Sequence, residues 1–110
     1  MLHIITPAAA IGQNMHYMTG FQRDVLYAIA GYDEPHGLAI KDELENYYET
    51  EILAGRLYPN LDTLVGNGLV EKGTLDRRTN YYTLTRRGRR ETEARREWEQ
   101  QYVGELLADS

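Results

Sequence analysis

EILAGRLYPNLDTLVGNGLVEKGTLDRRTNYYTLTRRGRR, residues 51–90, is the stretch that decides the fold. Its first part has leucines at the i, i+4, i+7 spacing of a helix that buries one face: Leu57, Leu61 and Leu64. Asn67 and Gly68 should end this helix, because these two residue types are favoured just past a helix C-terminus. The sequence therefore predicts a helix that ends close to residue 66.

A β-hairpin and a second helix are predicted after this first helix. Residues 69–74 and 80–84 are rich in β-forming residues, and the five residues 75–79 separate them. Thr85 stands where an N-cap is expected, ahead of a helical pattern that runs to about residue 108. Helix, hairpin and helix in this order predict a winged helix-turn-helix: a mainly α (α+β) fold in which the hairpin is the wing.

The residues before this stretch predict two more helices. Thr19 and Gln22 have the spacing of a capping box, and Pro35 suits the first turn of the next helix. Residues 46–53 should link that helix to the leucine helix, with Ile52 and Leu53 as a short strand beside the wing. We expect an N-terminal tail (1–18), a winged-helix domain (19–85) and a long C-terminal dimerisation helix (86–110).

The amino-acid composition argues against several classes of function. The chain has 110 residues and no cysteine, so it forms no disulfide and no cysteine-bearing zinc site. No apolar run approaches the roughly 20 residues of a membrane span, and the first residues lack the basic start of a signal peptide, so we expect a cytoplasmic protein. The three histidines are scattered, and His36 is given a structural role. We predict no enzyme, metal site or cofactor.

Charge is sorted along the chain. The net charge is −5, yet residues 72–90 hold seven basic side chains against one acidic side chain. Residues 1–70 hold three basic and nine acidic side chains. Clustering of this kind, more than a basic total, marks a phosphate-binding surface. Ten arginines against two lysines in an acidic chain are typical of proteins from salt-loving archaea.

The leucine helix and the wing supply the candidate DNA contacts. Arg56, Asn60 and Thr63 run along one flank of the helix and can meet base edges or phosphates. A solvated face explains these three residues equally well, and the adjoining basic wing favours DNA. Paired arginines at the wing tip suit a narrow minor groove. The predicted DNA-binding residues are Arg56, Tyr58, Asn60, Thr63, Lys72, Arg77, Arg78, Thr79, Arg86 and Arg87.

The last helix carries an apolar stripe that a small domain cannot easily cover. We interpret the stripe as a dimer interface with Trp98 as its anchor, because large aromatic side chains dominate such contacts. The alternative is packing on the first helix of the same chain. The predicted dimerisation residues are Ala94, Trp98, Tyr102, Val103 and Leu106.

Three separated motifs resemble the PadR family of winged-helix transcription regulators: HGLAIKDEL, GRLYPNLDTLVGNGLVEK and NYYTLTRRGR. The resemblance covers about residues 20–91. It implies a homodimer, joined through the C-terminal helix, that binds a pseudo-palindromic operator in double-stranded DNA. The acidic, arginine-rich composition resembles family members from salt-loving archaea, among them a regulator of the oxidative-stress response.

Two other functions stay open at this stage. One is a winged helix that binds proteins instead of DNA, which the acidic total supports. The other is a ligand-sensing regulator with an aromatic pocket built from Trp98, Tyr102 and either Tyr47 or Tyr48. For binding in molar salt, where counter-ion release gives little driving force, we hypothesise that Glu49, Glu51 and Asp62 take up salt cations on DNA binding.

Overall fold

Four helices and a two-stranded antiparallel sheet make up residues 17–108, the part of the chain that the computed structural model describes. The predicted order of helix, hairpin and helix is confirmed. All but two residues of the predicted N-terminal tail lie outside the described residues. The elements are α1 (Gly20–Gly31), α2 (Gly37–Tyr48), α3 (Ala54–Gly66), β1 (Val70–Thr74), β2 (Asn80–Leu84) and α4 (Arg86–Ala108).

One apolar core joins α1, α2, α3 and the hairpin. The leucine stripe of α3 is fully buried, as its spacing predicts. Met18, which the predicted boundary leaves in the tail, is only 4% exposed and belongs to this core. The other core residues are Phe21, Val25, Leu26, Ala28, Ile29, Ile40, Leu44, Ile52, Leu69, Val70 and Tyr82.

Side-chain caps set the starts of α1 and α2. The capping box is confirmed, since Thr19 Oγ1 accepts from the Gln22 N–H at 3.1 Å and Gln22 Oε1 accepts from the Thr19 N–H at 3.2 Å. His36 is the N-cap of α2, where its Nδ1 accepts from the Ala39 N–H at 2.9 Å. The structural role of His36 is thereby confirmed. The placement of Pro35 in the first turn of α2 is wrong, because the cap follows it.

The predicted third strand at Ile52 and Leu53 is absent from the described residues. The Ile52 N–H donates to Glu45 Oε2 at 2.8 Å, so a side chain of α2 holds the amide that a strand would have used. Strand-like pairing comes instead from the residues before α2. The Tyr82 N–H donates to the Pro35 carbonyl at 2.9 Å. The predicted link at residues 46–53 is also too long, because α2 continues to Tyr48.

The junction between the hairpin and α4 is tightly packed. Thr85 caps α4 as predicted, with its Oγ1 accepting from the Gly88 N–H at 2.9 Å. The Thr85 N–H donates to the Leu69 carbonyl at 3.0 Å. A Cβ at Gly88 would lie 2.1 Å from that same carbonyl oxygen, so only glycine fits here. This close approach fixes the direction in which α4 leaves the wing.

Candidate nucleic-acid interface

The face of α3 opposite the leucine stripe is exposed to solvent. Pro59 is the sixth residue of α3, within the first two turns as expected, and it lies on this face. The hydrogen bond that a proline removes would have gone to the carbonyl of Gly55, which is itself exposed. The exposed residues of α3 are Ala54, Gly55, Arg56, Tyr58, Pro59, Asp62, Thr63 and Gly66.

The three predicted readers on α3 are engaged within the fold. The Arg56 guanidinium lies over the Phe21 ring, 3.9 Å from its centroid. Asn60 Oδ1 accepts from Gln22 Nε2 at 2.9 Å, and Asn60 Nδ2 donates to the Arg56 carbonyl at 2.7 Å. Thr63 Oγ1 donates to the Pro59 carbonyl at 3.1 Å. Arg56 and Asn60 therefore lean towards α1, away from the middle of the exposed face.

Tyr58 leans the other way, towards α2 and the wing. A Cβ at Gly37 would lie 2.3 Å from the Tyr58 hydroxyl oxygen, so the ring packs directly on the start of α2. Tyr58 also lines a cavity of about 390 Å³ together with His36, Arg78 and Thr79. The fold thus brings two predicted contact residues of the wing next to one from α3.

Backbone hydrogen bonds to one carboxylate shape the wing tip. Asp76 Oδ1 accepts from the N–H groups of Arg78 and Thr79, each at 2.9 Å. The Leu75 N–H donates to the Thr79 carbonyl at 2.8 Å and closes the turn. Arg77 and Arg78 are exposed on this turn. The tip therefore presents two guanidinium groups from a backbone that is already ordered.

Acidification is expected to open the wing tip only below the ordinary pKa of aspartate. The hydrogen bond from the Arg78 N–H, with that from Thr79, holds the pKa of Asp76 below its usual range. A depressed folded-state pKa contributes stability that is present above the unfolded-state pKa, about 4, and is lost as the pH falls through the folded-state pKa. NMR should show the Arg78 and Thr79 amide shifts constant from pH 7 to about 4 and changing together below it.

An Asp76→Ala variant is the control for this titration, since its two amides should lack the acid transition. A wild-type midpoint at or above the ordinary aspartate pKa would contradict the assignment of these hydrogen bonds.

The basic residues outside the wing tip lie in different environments. Lys72 on β1 faces α3, with its Nζ 3.8 Å from Asp62 Oδ1. Arg86 is exposed at the start of α4, and Arg87 is half-buried. Arg89 lines a cavity of about 260 Å³ with acidic residues of the loop after α1. The basic block is continuous in sequence but is divided by the fold.

The apolar stripe of α4 is exposed in the single chain. Trp98 is 49% exposed and Tyr102 is 65% exposed, with their ring centroids 5.1 Å apart. The Arg95 guanidinium lies 4.6 Å from the Trp98 ring centroid. Part of α4 does contact α1, as the alternative predicted. That contact leaves the predicted dimerisation residues Ala94, Trp98, Tyr102, Val103 and Leu106 exposed.

The aromatic residues of α2, Tyr47 and Tyr48, lie near residues of α1. Tyr47 lines a cavity of about 250 Å³ with Asp24, Tyr27 and Glu43, among others. The Tyr48 hydroxyl donates to Asp24 Oδ2, and burial together with this hydrogen bond raises the pKa of Tyr48 to about 12. Neither Trp98 nor Tyr102 lines the Tyr47 cavity.

Two classes of feature are absent from residues 17–108. No group of three or more His, Asp or Glu side chains there is arranged to hold a metal ion. No helix in the same range is both long and apolar enough to cross a membrane.

The family model of the transcriptional regulator PadR-like family matches residues 25–94, which run from the middle of α1 to the first half of α4. The chain belongs to this family. No curated protein sequence matches the chain significantly.

Solved structures of one archaeal regulator resemble the PadR-like chain over most of its length. The structure of H. salinarum RosR grown from NaBr is 43% identical in sequence. The match covers 84% of this chain and 92% of the RosR chain, with a TM-score of 0.74. The complex structure hsRosR-S1 is 40% identical in sequence, and the match covers 94% of this chain and 95% of the hsRosR chain, with a TM-score of 0.77. The complex structure hsRosR-S4 is 43% identical in sequence, and the match covers 84% of this chain and 88% of the hsRosR chain, with a TM-score of 0.74. The winged-helix fold is confirmed by these structures.

Sequence reasoning missed the side chains that hold the PadR-like α3 in place. Gln22 was assigned only to the capping box, yet it also binds Asn60. Gly37 was noted as a motif residue, and the Tyr58 ring that requires it was not foreseen. These partners lie on different helices, so no local spacing marks them.

Proposed function

We propose that this PadR-like chain is a homodimeric, sequence-specific DNA-binding transcriptional regulator of the cytoplasm. The exposed face of α3 would enter the major groove, and the wing would hold the flanking backbone or minor groove. The observation that carries this proposal is the pairing of an exposed α3 face with two exposed arginines on a wing tip that Asp76 has already ordered. Ordering before binding lowers the entropy cost of association.

The wing supports the proposal through the kind of group that it presents. Guanidinium groups make bidentate contacts with phosphate and are attracted to narrow minor grooves. Arg78 lies next to Tyr58, because both residues line the same cavity. Contacts from the wing would therefore continue directly from the contacts of α3 along one duplex.

The stripe of α4 supports the dimer. Trp98 and Tyr102 expose large aromatic surface next to one another. Aromatic side chains of this kind are the usual anchors of protein interfaces. A two-fold dimer implies a pseudo-palindromic site whose half-sites lie about 34–36 Å apart, or a multiple of it.

Salt cations form a further part of the proposal. Asp62 is exposed on the α3 face, and Glu49 and Glu51 are exposed just before α3. Their carboxylates would repel phosphate unless a cation accompanies them. Cation uptake on binding offsets the counter-ion release that otherwise weakens binding in concentrated salt.

The regulated genes are proposed to belong to the oxidative-stress response. The similarity to RosR supports this assignment, and the acidic, arginine-rich composition supports only a salt-loving source. The chain has no cysteine, and the thioether of Met18 is buried in the core. Because residues 1–110 hold no thiol, the proposed signal would not act by oxidising a cysteine of this chain.

Replacing both wing arginines, Arg77→Ala/Arg78→Ala, is expected to weaken binding to operator DNA about tenfold or more. Each lost phosphate contact should also lower the magnitude of the slope of log K against log salt by about 0.9. Mobility-shift titrations at several salt concentrations measure both quantities. The matched control is Arg96→Ala, an exposed arginine in the middle of α4, which should leave both unchanged.

Two outcomes of these titrations would count against the account. Equal affinity and slope for the double variant and the wild type would remove the wing from the interface. A steep negative slope for the wild type up to molar salt would contradict cation uptake.

A further inference from the structure

One line along the outer face of α3 is almost free of side-chain bulk. Residues at i, i+4, i+7 and i+11 of a helix lie on one stripe. Starting at Gly55, these positions hold Gly55, Pro59, Asp62 and Gly66, and all four residues are exposed. We call this line the front stripe. Two glycines and a proline let the helix backbone come close to whatever it faces, and Asp62 is the single charged residue among them.

The longer polar side chains of α3 are held to one flank of the front stripe. Arg56 lies over Phe21, and Asn60 is hydrogen-bonded to Gln22 of α1. The hydroxyl proton of Thr63 is committed to the Pro59 carbonyl. The polar group that remains on the front stripe is the Asp62 carboxylate, whose side chain is 66% exposed. The front stripe therefore presents hydrogen-bond acceptors and no cation.

We propose that Asp62 is a specificity-determining residue that reads cytosine in the major groove. The inference rests on the proposed DNA-binding function. Of the three carboxylates proposed to take up salt cations, it assigns Asp62 to a base and leaves Glu49 and Glu51 for the cations. A short aspartate reaches a base edge only when the helix lies deep in the groove, and the small residues of the front stripe permit that depth. A carboxylate accepts the N4 amino group of cytosine.

The other bases oppose a carboxylate at this position. Guanine presents two acceptors, N7 and O6, and thymine presents the O4 acceptor and a methyl group. Adenine offers its N6 donor beside the N7 acceptor, which repels the second carboxylate oxygen. Cytosine alone offers a donor without a neighbouring acceptor on the same base.

Lys72 makes a carboxylate tolerable at this surface. Its Nζ lies 3.8 Å from Asp62 Oδ1, and Asp62 has a second oxygen for the base. The lysine reduces the repulsion between the carboxylate and nearby phosphates. It also fixes the side of α3 to which the carboxylate is drawn.

Selection of binding sites from a randomised double-stranded DNA library tests the inference with three full-length proteins: the wild type, Asp62→Asn and Glu71→Gln. Glu71 is an exposed carboxylate on β1, so its variant loses the same charge away from the front stripe. The wild type should select cytosine at one position in each half-site. Asp62→Asn should lose that preference by about tenfold and turn to adenine, which asparagine pairs with. Glu71→Gln should keep the wild-type motif.

Three results would overturn the inference. An unchanged motif for Asp62→Asn removes Asp62 from base reading. A uniform gain in affinity for all sequences, equal to that of Glu71→Gln, assigns Asp62 to phosphate repulsion only. Enrichment of no motif by the wild type defeats the proposed function itself, and the inference with it.

Discussion

Replacing Gly88 with alanine is expected to lower the free energy of unfolding by about 3 kcal/mol. The added Cβ would lie 2.1 Å from the Leu69 carbonyl oxygen, a backbone atom that cannot turn away as a side chain can. The same oxygen accepts the hydrogen bond from the Thr85 N–H, so relieving the clash also strains the start of α4. Urea denaturation followed by circular dichroism, at one fixed protein concentration, measures the loss.

Gly31→Ala is the matched control for this substitution. Gly31 is the last residue of α1, and a Cβ there meets no atom within 4 Å. Alanine is favoured over glycine in a helix by up to about 1 kcal/mol, so this variant should be unchanged or slightly more stable. Equal stabilities for the two variants would show that the wing and α4 are not packed as closely as described.

Removing both aromatic rings from the α4 stripe, Trp98→Ala/Tyr102→Ala, is expected to raise the dimer dissociation constant at least about 100-fold. About half of Trp98 and about two thirds of Tyr102 are exposed in the single chain, so the substitution should cost the monomer less packing than it costs the dimer. Sedimentation equilibrium measures the dissociation constant. DNA affinity should fall with it, because a monomer engages only one half-site.

Gln100→Ala serves as the control, since Gln100 is exposed and lies two residues from both Trp98 and Tyr102, on the side of α4 opposite these two rings. It should dimerise like the wild type. A wild-type chain that is monomeric at micromolar concentration, or a double variant that dimerises normally, would contradict the assignment of the stripe.

Local signals in the sequence predicted the elements well. The leucine spacing of α3, the capping box at Thr19 and the Thr85 cap each depend on residues within one or two turns, and all three are present. The hairpin was found for the same reason, since its two β-rich runs and polar turn are neighbours in sequence. Features that depend only on residues close together in sequence can therefore be predicted from the sequence.

Predictions that required a partner far along the chain fared worse. Ile52 was assigned to a strand, because its β-forming side chain carries no sign that Glu45 binds its amide. Pro35 is predicted to lie in a helix, because nothing near it in sequence indicates its contact with Tyr82, 47 residues further along the chain. Helical spacing places Arg56 and Asn60 on one flank of α3, but it does not show that α1 holds both side chains. Their role in DNA binding stays a prediction.

Footprinting of the wild-type chain on double-stranded DNA fragments that it has selected is the most direct test of sequence-specific DNA binding. Protection of a pseudo-palindromic site is expected in two blocks, with centres about 34–36 Å apart or a multiple of that distance. The Trp98→Ala/Tyr102→Ala variant should give no such paired footprint at the same concentration. Protection that is absent, or spread evenly over unrelated sequences, would contradict the central claim.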